Sequence, residues 1–181
     1  MESINQAKLQ GLLDKQDIEE QLMRYARAID RQDPALLRTV YWPDAYDDHL
    51  LYEGDVDGLV EWAFGFTDNM PTHHFVGNRL IELQSETEAF SEAYYVAWHD
   101  MPPEPGSTQR MNLALRGRYL DTFEKRGDEW RIKRRILALD AYTLAPGTSD
   151  WEAGHFAKIT TRGGPRPDDP LYTEHPNTTN N

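Results

Sequence analysis

The hydrophobic period of the chain changes at residue 72, from the spacing of helices to the alternation of strands. Four long segments follow, over residues 72–84, 89–101, 111–125 and 129–142, and all are rich in aromatic and aliphatic side chains. Alternation of these residue types is typical of β-strands, and the short stretches between the segments contain residues that favour turns. The sequence therefore predicts a long antiparallel meander.

Helices are predicted before the meander. Behind a capping-box pattern that begins at Asp17, apolar residues recur at offsets of four, three and four, which predicts an amphipathic helix over residues 17–30. A second, short helix is predicted from an N-cap at Asp33 to a stop at Pro43, and a third over residues 56–70. Helices followed by a strand meander are typical of an α+β fold.

A single domain accounts for most of the 181 residues. We predict an N-terminal extension over residues 1–13, the α+β domain over 14–145 and a C-terminal tail over 146–181. The tail is rich in Pro and Gly. Within it, only residues 151–159 are predicted to order, as a short helix able to cover a pocket.

Composition excludes several classes of function. The net charge of −12 argues against nucleic acid and anionic membranes as partners. The chain has no cysteine, which excludes disulfides, thiolate metal sites and cysteine nucleophiles. Residues 1–10 lack the pattern of a targeting signal, and no apolar run is long enough to span a membrane, so we expect a cytoplasmic protein.

Asp30 and His74 are the first candidates for catalysis. Asp30 falls in the last turn of the predicted first helix, where the helix dipole disfavours a carboxylate that has no donor partner. His74 follows His73 at the start of a strand, and because neighbouring strand residues point to opposite faces, only one of these histidines can face a given cavity. A neutral imidazole beside a buried carboxylate is the usual arrangement of a general base. A solvated helix-end acid and a structural histidine are the alternative interpretations.

Two further candidates, His99 and Tyr25, depend on how the helices meet the sheet. His99 shares a strand face with small residues, which suits either a ligand cavity or close packing of a helix. Tyr25 lies on the apolar stripe of the first helix, as a core residue whose hydroxyl needs a partner.

Arg135 is a candidate only if the last strand contains an irregularity. It has the same parity as Leu137, which would point it inward, whereas Trp130 and Ile132 argue for the opposite parity. A β-bulge would reconcile the two patterns.

Cofactor sites are not evident. Residues 46–49 (Tyr-Asp-Asp-His) contain metal-binding side chains, but consecutive loop residues rarely converge on one ion. The pair Gly163-Gly164 lies in the tail and fits no nucleotide-binding fingerprint, and no serine has the glycine frame of a hydrolase nucleophile. We therefore expect activity without added metal, nucleotide or flavin.

Five short motifs occur in an order that resembles the SnoaL-like branch of the nuclear transport factor 2 superfamily. They are residues 24–30 (RYARAID), 42–45 (WPDA), 72–78 (THHFVGN), 117–119 (GRY) and 127–132 (GDEWRI). The resemblance covers about residues 14–145. It implies a cone-shaped α+β barrel, in which a curved antiparallel sheet wraps around the N-terminal helices and encloses a deep, mostly apolar pocket.

Within that superfamily the chain is most similar to cofactor-free lyases: bile acid 7α-dehydratase, scytalone dehydratase, hexachlorocyclohexane dehydrochlorinase and diarylpropane deformylating lyases. The resemblance implies that Asp30 and His74 form a catalytic pair. It also implies roles for Tyr25, Arg135 or His99 as proton donor or oxyanion stabiliser. The residues predicted to contact substrate are Trp42, Tyr95, Arg118 and Leu137.

The implied reaction is proton abstraction by His74 from a hydroxylated, hydrophobic, aromatic or polycyclic small molecule, followed by loss of water or of a small carbonyl fragment such as formaldehyde. A double-bond isomerase or polyketide cyclase is the first alternative. A non-catalytic β-subunit of a ring-hydroxylating dioxygenase, or a binding module, is the second. Because the second and third long strands are apolar on both faces, we expect a homotrimer, with a dimer as the alternative.

Overall fold

The computed structural model describes residues 5–68 and 70–174, which form helices packed against one sheet. The elements are α1 (Gln6–Asp30), α2 (Pro34–Val40), β1 (Tyr41–Asp48), β2 (Glu53–Gly54), α3 (Val56–Phe66), β3 (Thr72–Leu83), β4 (Glu88–Met101), β5 (Met111–Arg126), β6 (Glu129–Pro146), a 3-10 turn (Phe156–Lys158) and α4 (Pro170–Glu174). The α+β class and the four long strands are confirmed.

The helices differ from the prediction at their ends. Helix α1 begins at Gln6, behind an Asn5 cap whose side chain accepts a hydrogen bond from the backbone N–H of Lys8 at 3.1 Å. Its first turns are largely exposed, so they show no apolar period for the sequence to reveal. Helix α2 ends at Val40 and the chain continues at once as β1, which contains Pro43. Proline is tolerated there because the pairing of β1 with β6 is irregular between Tyr41 and Tyr46.

The strands pair in the order β2-β1-β6-β5-β4-β3. All neighbours are antiparallel except β1 and β6, which are parallel. The sheet curls without closing, so the predicted barrel is a cone that is open between its edge strands. Helices α1 and α3 lie against the inner face, and the main core forms between them and the sheet.

A β-bulge in β6 places Arg135 on the inner face. Phe123 pairs with Ile132 but its neighbour Thr122 pairs with Arg134, so Lys133 is an extra residue. The extra residue shifts the alternation by one position, and both Ile132 and Arg135 are buried as a result. The bulge predicted from the conflicting parities is therefore confirmed.

The C-terminal tail returns to the end of α1, which the sequence did not indicate. We call residues 163–172 the C-terminal strap. Arg31 bonds to Asp169 with 2.8 Å between Nη1 and Oδ2, and Arg166 bonds to Asp33 with 3.0 Å between Nη1 and Oδ2. By contrast, the predicted helix over 151–159 is only the short 3-10 turn, and that segment does not line the cavity of its own chain. None of the described helices is both long and apolar enough to cross a lipid bilayer.

Candidate active site

A cavity of about 300 Å³ lies between α1, α3 and the inner face of the sheet. Most of its wall is apolar, with Trp62 and Phe66 from α3 and leucines from β5 and β6. The wall also carries polar side chains: Tyr25, His49, Thr67, His74, Tyr95, His99, Tyr119 and Tyr142. An apolar cavity with a few convergent polar groups is the usual form of a small-molecule site.

Asp30 and His74 meet where α1 ends beside the start of β3. The Asp30 carboxylate accepts hydrogen bonds from the Thr72 hydroxyl at 2.8 Å and from the His74 backbone N–H at 2.9 Å. The His74 Nδ1 atom is 2.7 Å from Asp30 Oδ1. These donors supply the partners that a carboxylate at a helix C-terminus requires.

The network determines the protonation of the pair. Burial raises the pKa of Asp30, but the hydrogen bonds and charge of His74 outweigh burial and hold this pKa below its ordinary value. An ionised Asp30 accepts the proton of Nδ1–H, which assigns the tautomer of His74 and leaves the Nε2 lone pair free. His74 lines the cavity, so it has the arrangement of a general base.

Tyr95 and His99 supply polar atoms without a protein partner. The Tyr95 hydroxyl and His99 Nδ1 are buried, and neither has a hydrogen bond among the described residues. Burial raises the pKa of Tyr95 to about 12; burial, together with His74, lowers the pKa of His99 to about 4. Both side chains are therefore neutral near pH 7, with hydrogen-bonding capacity available to a ligand in the cavity.

His49 is a site residue that the sequence analysis missed. Asp47 lies in β1 and His49 directly follows it, whereas the sequence indicated only a loop with weak metal-binding character. His49 Nδ1 is 3.1 Å from Asp47 Oδ1, and Tyr41 donates to the other oxygen of Asp47 at 2.7 Å. The two residues are separated by one position, which is the spacing of residues on one face of a strand, so recognition of β1 would have revealed the pair.

Tyr25 is close to both Asp–His pairs. Its ring centre is 6.4 Å from that of His49 and 6.5 Å from that of His74, and its hydroxyl is 3.4 Å from His49 Nε2. Burial raises the pKa of Tyr25, so the phenol is protonated. Tyr25 is therefore placed to donate a proton into the cavity.

Arg135 is buried behind the cavity wall. It binds Asp121 through two hydrogen bonds of 2.7 Å, and its guanidinium lies 4.0 Å from the ring centre of Tyr25 and 4.2 Å from that of Tyr119. It does not line the cavity, so the predicted direct role in catalysis requires correction. Its positive charge acts on the site from behind the wall, and it lowers the pKa of Tyr25, Asp47 and Tyr95 relative to burial alone.

Two predicted substrate contacts lie outside the cavity. Arg118 points to the outer face, where it bonds to Glu92 and Asp140, because it alternates with the inward-facing Tyr119. Trp42 donates to the Glu124 carbonyl at 2.8 Å and packs under arginine side chains away from the cavity. Tyr95 and Leu137 do line the cavity. Residues 5–68 and 70–174 contain no group of three or more acidic or histidine side chains that could hold a metal ion.

The SnoaL-like domain family matches residues 10–136, more than two thirds of the chain. The chain is a member of this family. An uncharacterized protein of Mycobacterium tuberculosis is 28% identical to this SnoaL-like protein over 128 residues, covering 68% of the chain and 83% of that protein. The family resemblance found in the sequence is therefore confirmed.

Solved structures share the fold. A Novosphingobium aromaticivorans protein, provisionally assigned as a scytalone dehydratase, superimposes with a TM-score of 0.67 at 24% identity, covering 75% of this chain and 90% of that one. A type 3 hexachlorocyclohexane dehydrochlorinase, LinA, from Novosphingobium barchaimii superimposes with a TM-score of 0.66 at 14% identity, covering 79% and 96%. At these identities the comparison establishes the fold.

Proposed function

We propose that this SnoaL-like protein is a cofactor-independent lyase that eliminates water, or a small carbonyl fragment, from a hydroxylated aromatic molecule. The observation that supports this most directly is the Asp30–His74 pair. Asp30 holds one imidazole nitrogen of His74, the other is free, and His74 lines a mostly apolar cavity. The dehydratase and dehydrochlorinase among the structural neighbours agree with this class of reaction.

His74 abstracts a proton from a carbon atom activated by a neighbouring carbonyl group. Asp30 stabilises the resulting imidazolium, because its carboxylate lies 2.7 Å from His74 Nδ1 and carries the opposite charge. Tyr95 and His99 hold the substrate oxygens, since their polar atoms have no other described partner. The aromatic side chains of Trp62 and Phe66 favour a planar, hydrophobic substrate.

The test uses 4-hydroxy-4-phenylbutan-2-one, a β-hydroxy ketone that loses water to give the conjugated enone. We expect the variants H74Q and D30N each to lower kcat/KM by about a hundredfold or more. The double variant is expected to be little worse than H74Q, because the two residues act as one unit. His73→Gln is the matched control, since His73 is exposed on the outer face of the same strand.

The product mass separates elimination from the alternatives. A product lighter by one water supports a lyase, whereas a product of unchanged mass supports an isomerase or cyclase. Wild-type turnover no faster than that of H74Q contradicts the proposal and favours a binding module.

A further inference from the structure

A second Asp–His pair lies beside Tyr25, and its histidine also lines the cavity. His49 and His74 both line the cavity, and each is held through Nδ1 by its own aspartate. The ring centre of Tyr25 is at nearly equal distances from those of the two imidazoles. A reaction with one proton transfer needs only one of these pairs.

Asp47, the partner of His49, is a buried carboxylate that three neighbouring side chains keep ionised. Its side chain is fully buried, and burial raises its pKa, yet His49, Arg135 and the Tyr41 hydroxyl together hold that pKa below its ordinary value. An ionised carboxylate inside the protein stabilises the imidazolium form of the adjacent histidine. Asp47 therefore holds the imidazole of His49 through Nδ1, with Nε2 directed at the Tyr25 hydroxyl.

The Nε2 atom of His49 lies 3.4 Å from the Tyr25 hydroxyl. Below the same ring lies the Arg135 guanidinium, 4.0 Å from the ring centre, whose charge favours the phenolate form of Tyr25. A phenol with a proton source on one side and a cation beneath it can give up its own proton and be reprotonated at once.

We propose that Asp47 and His49 form a proton relay that resupplies Tyr25, the general acid of the elimination. The proposal rests on the function proposed above. His74 Nε2 takes the proton from carbon, the C–H electron pair forms the new double bond, and the C–O bond breaks with its electrons on oxygen. Tyr25 donates its proton to that oxygen, and His49 donates its Nε2 proton to Tyr25. Water leaves; His74 then releases a proton to solvent and His49 takes one up, which restores the starting state.

The test compares two substrates that differ in whether the leaving group must be protonated. 4-Hydroxy-4-phenylbutan-2-one loses a hydroxyl group that must be protonated, whereas its 4-acetoxy analogue loses acetate, which leaves as an anion. We expect H49Q to lower kcat/KM at least about thirtyfold on the hydroxy ketone and less than about threefold on the acetoxy ketone. D47N is expected to show the same preference with a smaller loss, and His73→Gln no loss on either.

The outcomes separate this proposal from the function on which it rests. H74Q is expected to lose activity on both substrates, and if it does not, the proposed function fails. If H74Q loses both while H49Q affects the two substrates equally or not at all, the relay is refuted and the base assignment stands. Thermal unfolding verifies that each variant is folded. If H49Q is not folded, D47N replaces it, because D47N alters the relay and leaves Tyr25 in place.

Discussion

The buried ion pair between Arg135 and Asp121 is expected to be costly to break. Both side chains have no exposed surface, and two hydrogen bonds of 2.7 Å join them. Replacing Asp121 by asparagine leaves the guanidinium buried without its counter-charge, and removing one partner of such a pair costs about 3–5 kcal/mol of unfolding free energy.

Urea unfolding followed by circular dichroism measures this loss. With a urea m-value of about 2 kcal/mol/M, D121N is expected to lower the unfolding midpoint by about 1.5–2.5 M. The double variant with Asp121→Leu and Arg135→Met removes both charges together and is expected to be more stable than D121N.

Lys133→Met is the matched control, because Lys133 lies on the same strand as Arg135 but forms a partly exposed ion pair, with Asp44. An exposed pair contributes less than about 1 kcal/mol. If D121N and Lys133→Met have similar midpoints, or if the double variant is the least stable of the three, the argument that burial makes this pair costly to break is refuted.

Three further outcomes are expected. Gly117→Ala is expected to destabilise the fold by about 1–3 kcal/mol or more in urea unfolding, because the new Cβ would lie 2.1 Å from the Ala138 carbonyl oxygen, whereas Gly65→Ala, which meets nothing within 4 Å, is expected to be neutral or stabilising. The free energy of unfolding is expected to fall as the pH is lowered from 6.5 to about 4, because the unfolded state protonates His99 in this range and the folded state does not; H99Q is expected to lack this part of the decline. Light scattering is expected to give a homotrimer, since apolar side chains such as Tyr94 and Trp98 are about half exposed on the outer face of the single chain, and a 21 kDa particle would contradict this.

The four long strands were predictable because the sequence of each one alternates in the manner of a β-strand. Alternation over a dozen residues is a local property, and so is the parity conflict that led to the bulge in β6. Strand β1 was not predictable in the same way. It contains Pro43, three acidic residues and an irregular register, and it is held as a strand by parallel pairing to residues nearly ninety positions away.

The same difference explains the candidate site. Asp30, His74, His99 and Tyr25 lie on elements whose faces the sequence reveals. The structure brings His74, His99 and Tyr25 to one cavity and places Asp30 behind His74, as its hydrogen-bond partner. His49 lies at the end of the strand that was missed. Arg135 was correctly expected to point inward. Asp121 binds its guanidinium behind the cavity wall, and no local pattern in the sequence identifies this partner.

The C-terminal strap stabilises the end of α1, which positions the proposed base, His74, through Asp30. Asp30 is the last residue of α1; Arg31 and Asp33, which follow it, are both anchored by strap residues. A truncation after residue 162 would leave the cavity wall chemically intact while removing the ion pairs that fix the end of this helix. The truncation would therefore disturb the orientation of His74 first. It would lower the rate of the proposed proton abstraction while the contacts to the substrate stay unchanged.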